Sequence, residues 1–370
     1  MRAHPGGGPT TRPPAGAPLA LGRRFANAAR RGSGRLLLLA LAGAPWLPAC
    51  QPGGGPGRAV LVPPPVGHYA GTAQLAAGQP AQALALELRH PSPGHHTAEL
   101  TGPPALRFVA DTVAFQAGQL RLVRPGLPGE VLALTLDGDF WRGTLRLDSV
   151  QVPVLLVRRG PPTPTMYRVE EVPQAQGSAW LFAPADVHTA GPGLALLPDA
   201  ATGPAGAMWA DALARYGLTV LLLPATDSAR PAATGALLAA ARRLLRNTAG
   251  VDTANLGTWA TGPRADAAAL ALAAPGGPRT AFFIVQNAPV AAASRAAYRA
   301  LARQKLPMLG LYGGGGASGA AAASLRGALR SPMVRTYRTA GPDLLVPGPG
   351  GPAFAPGLPD VVVQWLPRPQ

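Results

Sequence analysis

The chain has 370 residues, 47% of them hydrophobic, which is enough to bury one large core or two moderate ones and too apolar for disorder throughout. Its formal charge of +16 comes from 33 basic and 17 acidic residues, with Lys305 the only lysine, and aromatic residues make up 5%. Arginines scattered through an Ala-, Gly- and Pro-rich background, without aromatic side chains clustered beside them, argue against nucleic acid as a partner.

Arg30, Arg31 and Arg35 precede an apolar run over residues 36–47. This is the layout of a charged n-region followed by an h-region, and the run is too short to span a bilayer as a helix. It ends in Leu47-Pro48-Ala49-Cys50, which resembles the lipobox of bacterial lipoproteins. The resemblance implies cleavage before Cys50, lipid on its thiol, and a chain held to a bacterial membrane in the cell envelope, on the periplasmic or extracellular side. Seven arginines precede Cys50, so their removal takes the charge from +16 to +9. Residues 1–49 thus read as an N-terminal extension and signal peptide, and the Gly- and Pro-dense residues 50–65 as a tether. Cys50 is the only cysteine, which excludes an intrachain disulfide. Lone cysteines are usually inert core residues, but one placed directly after a signal-type run has no core to enter.

Residues 66–160 predict a small all-β domain, a sandwich or open barrel. Residues 82–88 and 119–123 alternate, 106–115 are β-branched and aromatic, and 131–136, 141–147 and 152–157 complete the series, with Gly, Pro and Asp turn signals between them. His95 and His96 suggest a metal only weakly, because adjacent residues on a strand point to opposite faces. A turn accounts for them, and neither a metal nor another cofactor is expected.

After Pro161-Pro162-Thr163-Pro164 the pattern changes, which marks a boundary before a second domain over 166–367. Strands are predicted at 167–172, 179–182, 194–197, 218–223, 255–259, 281–285, 308–312 and 334–337. Helices are predicted at 205–216, 235–247, 264–274, 289–304, 320–330 and 360–366. Strand and helix in this rhythm, with apolar strands that do not alternate, predict an α/β class with a mostly parallel eight-stranded sheet covered by helices on both faces.

Four stretches carry a family likeness: residues 208–223 (MWADALARYGLTVLLL), 244–259 (LLRNTAGVDTANLGTW), 305–313 (KLPMLGLYG) and 359–366 (PDVVVQWL). They resemble the helix and fourth strand, the helix and fifth strand, the strand before the acid loop, and the closing helix of secreted bacterial α/β-hydrolase-family proteins with an N-terminal β domain. The resemblance covers residues 66–366 in outline. It implies a serine on a strand-to-helix turn, then an acid, then a histidine. The sequence places Gly262 at the nucleophile position in Ala260-Thr261-Gly262-Pro263-Arg264, Gly316 nearest the acid position, and Pro342 at the histidine position. The last histidine is His188, so no general base follows the expected nucleophile.

Displaced residues could take over. Thr261 neighbours the nucleophile position, Ser318 lies in the Gly-rich loop after residue 312, and Asp343 follows the last strand; turn and cap roles account for each, because a hydroxyl needs an adjacent base. Asp227 and Ser228 read as turn residues, and Gly313 to Gly316 lack the P-loop lysine and hydroxyl. Two readings stand. One is an envelope lipoprotein with a catalytically inactive α/β-hydrolase fold that binds a small ligand or protein partner in the former active-site cleft. The alternative is an esterase or peptidase using Thr261, Ser318 or Asp343.

Overall fold

In the computed structural model, residues 63–75, 78, 80–92, 94–174, 177–329, 333–348 and 351–366 are described. The signal-type run, Cys50 and most of the tether lie outside them.

The first region is one nine-stranded antiparallel sheet. Its strands are β1 (Gly67–Ala73), β2 (Gln82–Ser92), β3 (His95–Thr101), β4 (Phe108–Ala110), β5 (Ala114–Gln116), β6 (Gln119–Arg124), β7 (Leu127–Asp137), β8 (Phe140–Leu147) and β9 (Val150–Gly160). Alternation decides which side is buried: on β9, Val152, Val154 and Leu156 face the core while Leu155 is 42% exposed. The spatial order is β4-β3-β2-β1-β9-β8-β7-β6-β5, so the two edge strands are consecutive in sequence. Laid flat, nine strands would separate the edges by about 38 Å, whereas the chain from Ala110 to Ala114 reaches at most about 14 Å. The sheet therefore curls into a half-barrel around Trp141, against which Tyr69 and Phe115 pack edge-on with ring centroids at 6.0 and 6.1 Å.

This settles the open alternative against a sandwich, and it splits the predicted 106–115 strand into two short edge strands. His95 opens strand β3 rather than a turn, with Nε2 3.1 Å from Asp111 Oδ1, while His96 stacks on His90 at 4.4 Å. Among the described residues no group of three or more His, Cys, Asp or Glu side chains is placed to hold a metal ion.

The second region is a mostly parallel eight-stranded sheet alternating with helices. It comprises β10 (Tyr167–Gln174), β11 (Gly177–Pro184), β12 (Gly191–Leu197), α1 (Gly203–Arg215), β13 (Thr219–Leu222), α2 (Pro231–Arg246), β14 (Val251–Thr261), α3 (Gly262–Ala273), β15 (Phe283–Gln286), α4 (Ala292–Arg303), β16 (Met308–Gly313), α5 (Gly316–Ala328), β17 (Met333–Tyr337) and α6 (Asp360–Trp365). The order is β10-β11-β13-β12-β14-β15-β16-β17; β11 runs antiparallel to both neighbours and the pairs from β13 to β17 are parallel. Thr219–Leu222 and Phe283–Gln286 are buried at every position, as strands covered on both faces require. One core joins the sheet to α2, α3, α4 and α5. A second, on the other face, joins it to α1 and α6 through Trp209, Trp259 and Phe282.

Helix α5 starts at Gly316, four residues before the predicted 320, because Gly314 (φ +96°) and Gly315 (φ +82°) take the left-handed conformation and turn the chain at once. The Gly-rich loop after residue 312 is therefore a tight turn followed at once by a helix start that includes Ser318.

Both regions belong to one compact unit, Val60–Gln370, and an ionic cluster joins them. Asp211 of α1, 2% exposed, accepts from Arg107 Nε at 2.5 Å, from Arg215 Nε at 3.1 Å and from the Tyr167 hydroxyl. Glu99 of β3 accepts from Arg215 Nη2 at 3.0 Å and Arg89 Nη2 at 2.9 Å. No helix among the described residues is long and apolar enough to cross a membrane.

Burial, reinforced by Asp211 for Tyr167 and by Asp266 for Tyr298 and Tyr312, holds these three phenols well above their ordinary value of 10.0. Each keeps its proton in the folded chain at a pH where the unfolded chain has lost it. Their contribution to stability is thus complete below pH 10 and is lost as pH rises through the folded values. Half of the six tyrosines should therefore yield phenolate absorbance only in one steep step that coincides with loss of near-ultraviolet circular dichroism. Gradual titration of all six in a still-folded protein would contradict this.

Candidate functional site

The carboxyl edge of the parallel strands is where this class of sheet places ligands, and all three positions at which the resemblance implies a triad fall there. β14 ends at Thr261 and α3 begins at Gly262 with no intervening loop. Gly262 has φ +51°, the left-handed conformation that the resemblance implies for a nucleophile turn, but on a residue without a side chain. A Cβ there would overlap Asp199 Oδ2 and come within 3.0 Å of its Cγ. Pro263 follows and has no N–H, so the main-chain donor that would face an oxyanion at this turn is missing too.

Asp199, at the end of β12, is fixed in that space. Its N–H donates to Thr261 Oγ1 at 2.7 Å, and its Oδ1 accepts from Thr202 N at 2.9 Å and Thr202 Oγ1 at 2.7 Å. The hydroxyls of Thr202 and Thr261 are also 2.7 Å apart, so the Thr261 proton goes to Thr202 and the Thr202 proton to the carboxylate. Thr261, Thr202 and Asp199 are 2%, 3% and 7% exposed. Thr261 is a buried link that lines none of the larger clefts. Its hydroxyl has a carboxylate at the end of its relay, and the residue is buried.

The loops that carry the other two positions are joined by hydrogen bonds. Gly314 N donates to Ala340 O at 2.7 Å. The Pro342 carbonyl accepts from Gln286 Nε2 at 2.8 Å and from Asn287 Nδ2, and Asn287 Oδ1 accepts from Gly313 N at 2.9 Å. Gln286, 1% exposed, also accepts from Trp259 Nε1 at 3.0 Å. The loops after β15, β16 and β17 are therefore tied by neutral amides where the resemblance implies an acid and a base.

Ser318 lies in the first turn of α5 and donates to Gly315 O at 2.5 Å. It borders a cleft of about 360 Å³ whose charged lining residues are Arg326 and Arg338, with no base. Asp343 accepts from Leu345 N at 3.1 Å, and its carbonyl accepts from Trp209 Nε1 at 3.3 Å, which makes it a turn residue. His188 precedes β12, beside Gly250 at the amino edge of the sheet. It is exposed and lies across the sheet from Gly262.

Two clefts open on the carboxyl edge. One of about 550 Å³ lies between the β6–β7 turn and the ends of β12 and β13, bordered by Arg124, Leu127, Trp180 and Pro198. The second, about 620 Å³, lies beside Pro224, the loop after β13 and the start of α2, and Arg264 lines it. Arg264 is 2% exposed, and its Nη1 donates to Pro198 O at 2.7 Å and Pro224 O at 2.9 Å, stapling the ends of β12 and β13. Burial pushes its pKa down to about 10, with Asp199 opposing. Arg264 was legible in sequence only as a helix start, and Asp199, Thr202, Gln286 and Asn287 were not singled out. The one available signal was a polar pair, Gln286-Asn287, directly after an apolar strand. No protein-family model matches this chain, and no curated protein matches it.

Proposed function

We propose that residues 167–365 form an α/β-hydrolase fold that has lost catalysis and serves to bind, carried by an envelope lipoprotein anchored through Cys50. Three features support the fold assignment: the strand order, the single antiparallel second strand, and a strand-to-helix turn with its left-handed residue after the fifth strand. The observation that carries the loss of catalysis is Asp199, whose carboxylate fills the space of a side chain at Gly262. A serine there would find no room, no histidine and, at Pro263, no oxyanion donor.

The test is turnover of ester and aminopeptidase substrates by the full chain, with a fluorophosphonate serine probe run alongside. The expected result is neither turnover nor labelling. Labelling abolished by Thr261→Val or Ser318→Ala would establish the alternative, a hydrolase with displaced residues. The anchor is tested separately: Cys50→Ser should leave the protein unlipidated and released from membranes, and a variant still lipidated would overturn the anchor while leaving the fold assignment untouched.

A further inference from the structure

The 620 Å³ cleft is cationic in a way its neighbour is not. Its charged lining residues are Arg230 and Arg264, with Thr226, Ser228, Thr234 and Gln174 as neutral polar groups. Arg264 is almost wholly buried, yet its Nε has no hydrogen-bond partner, and its Nη1 is held by two carbonyls rather than a carboxylate. Asp199, the carboxylate that acts on it, is committed to Thr202 through Oδ1. In the 550 Å³ cleft, by contrast, Arg124 is paired with Glu130 at 2.8 Å and Glu171 is part of the wall. A buried guanidinium without a bonded anion is costly.

The first turn of α2 adds to the same field. Arg230 sits at its N-cap, no side chain caps the free N–H groups, and the first turn holds no acid. A cation at the positive end of a 16-residue helix opposes the macrodipole, whereas an anion there would satisfy both.

We propose that this cleft binds a small organic anion, a carboxylate or phosphate on an apolar body, with the anionic head between Arg264 and Arg230 at the start of α2. Pro224, Ala225 and Leu237 supply the wall for the body. The inference rests on the binding reading above only in that the molecule is held and not turned over.

The experiment is calorimetric titration of the full chain with phenyl phosphate and benzoate, and with inorganic phosphate and benzyl alcohol to separate head from body. Either aromatic anion should bind one to one, more weakly as salt rises, and the tighter of the two identifies the head group. Benzyl alcohol should not bind, and inorganic phosphate should bind at least about tenfold more weakly than phenyl phosphate. Arg264→Gln should weaken binding about a hundredfold. Should that variant not fold, Arg230→Glu reports instead, because Arg230 is exposed and its charge reversal should weaken binding at least about tenfold. Absence of binding by both aromatic anions, or binding that Arg230→Glu leaves unchanged, would overturn the site while the noncatalytic reading stands. Labelling by the serine probe would overturn that reading while the anion site stands.

Discussion

Gly262→Ser is expected to lower stability by about 2–5 kcal/mol and to produce no hydrolysis. Two costs combine. A side chain at a left-handed φ of +51° costs about 1–2 kcal/mol, and its Cβ meets the Asp199 carboxylate, which two bonds from Thr202 hold in place while the Asp199 N–H donates to Thr261. Relief requires moving that loop, at a typical overpacking cost of about 1–3 kcal/mol. The partner variant separates the terms. Asp199→Ala empties the space, so Gly262→Ser in that background should cost only the backbone term, giving a favourable coupling of at least about 1 kcal/mol in a double-mutant cycle read by urea denaturation. Additive losses would mean that the Asp199 carboxylate is not what fills the turn. The same cycle bears on function: if the double variant becomes labelled by a serine probe, a base is present that this geometry does not reveal.

Much of the α/β region was legible because its signals are local. Strands such as Thr219–Leu222 are short apolar runs, the helices between them repeat Ala and Leu at helical spacing, and both survive inspection of a ten-residue window. β1 and β3 escaped for the complementary reason. Gly67–Ala73 has Tyr69 as its only large apolar residue among glycines, alanines, a threonine and a histidine, and β3 opens with His95 and His96, so their strand character comes largely from pairing with β2 and β9. For the β region the sequence left a sandwich and an open barrel both standing, because the choice rests on β4 and β5 being consecutive in sequence and at opposite edges in space. At the site, the three positions where the resemblance implies a serine, an acid and a histidine could be checked in the sequence, and they hold Gly262, Gly316 and Pro342. The contacts around them could not be read: Asp199 meets Thr261 across 62 residues, and the Arg264 staple joins carbonyls 66 and 40 residues away. A residue such as Arg264 looks like any surface arginine of a helix until the fold buries it.

Asp211→Ala is expected to cost about 3–5 kcal/mol, the range for removing one partner of a buried ion pair. It should also separate the unfolding of the two regions. The aspartate is the shared acceptor of Arg107 from the β region, Tyr167 from the first strand of the α/β region, and Arg215 one turn along α1. Its loss leaves the buried Tyr167 hydroxyl without an acceptor and strands Arg107 and Arg215, with Glu99 the remaining carboxylate of the cluster. Arg107→Ala should be much milder, about 1 kcal/mol, because that side chain is 24% exposed and part of its interaction is screened by water. The contrast between the two variants is the informative quantity, since a cluster of surface-like pairs would make them equal. Asp211→Asn keeps the shape and an acceptor for Tyr167 while removing the charge, so it should fall between them. Trp141 is the only tryptophan of residues 66–160, and hydrogen exchange around it can be followed apart from that of β12 to β16. In the parent chain the two sets should gain exchange together as urea is added; in Asp211→Ala the strands around Trp141 should open first. Coincident opening in the variant would show that apolar contacts, such as Val109 of β4 in the core of the α/β region, hold the regions together without the ionic cluster.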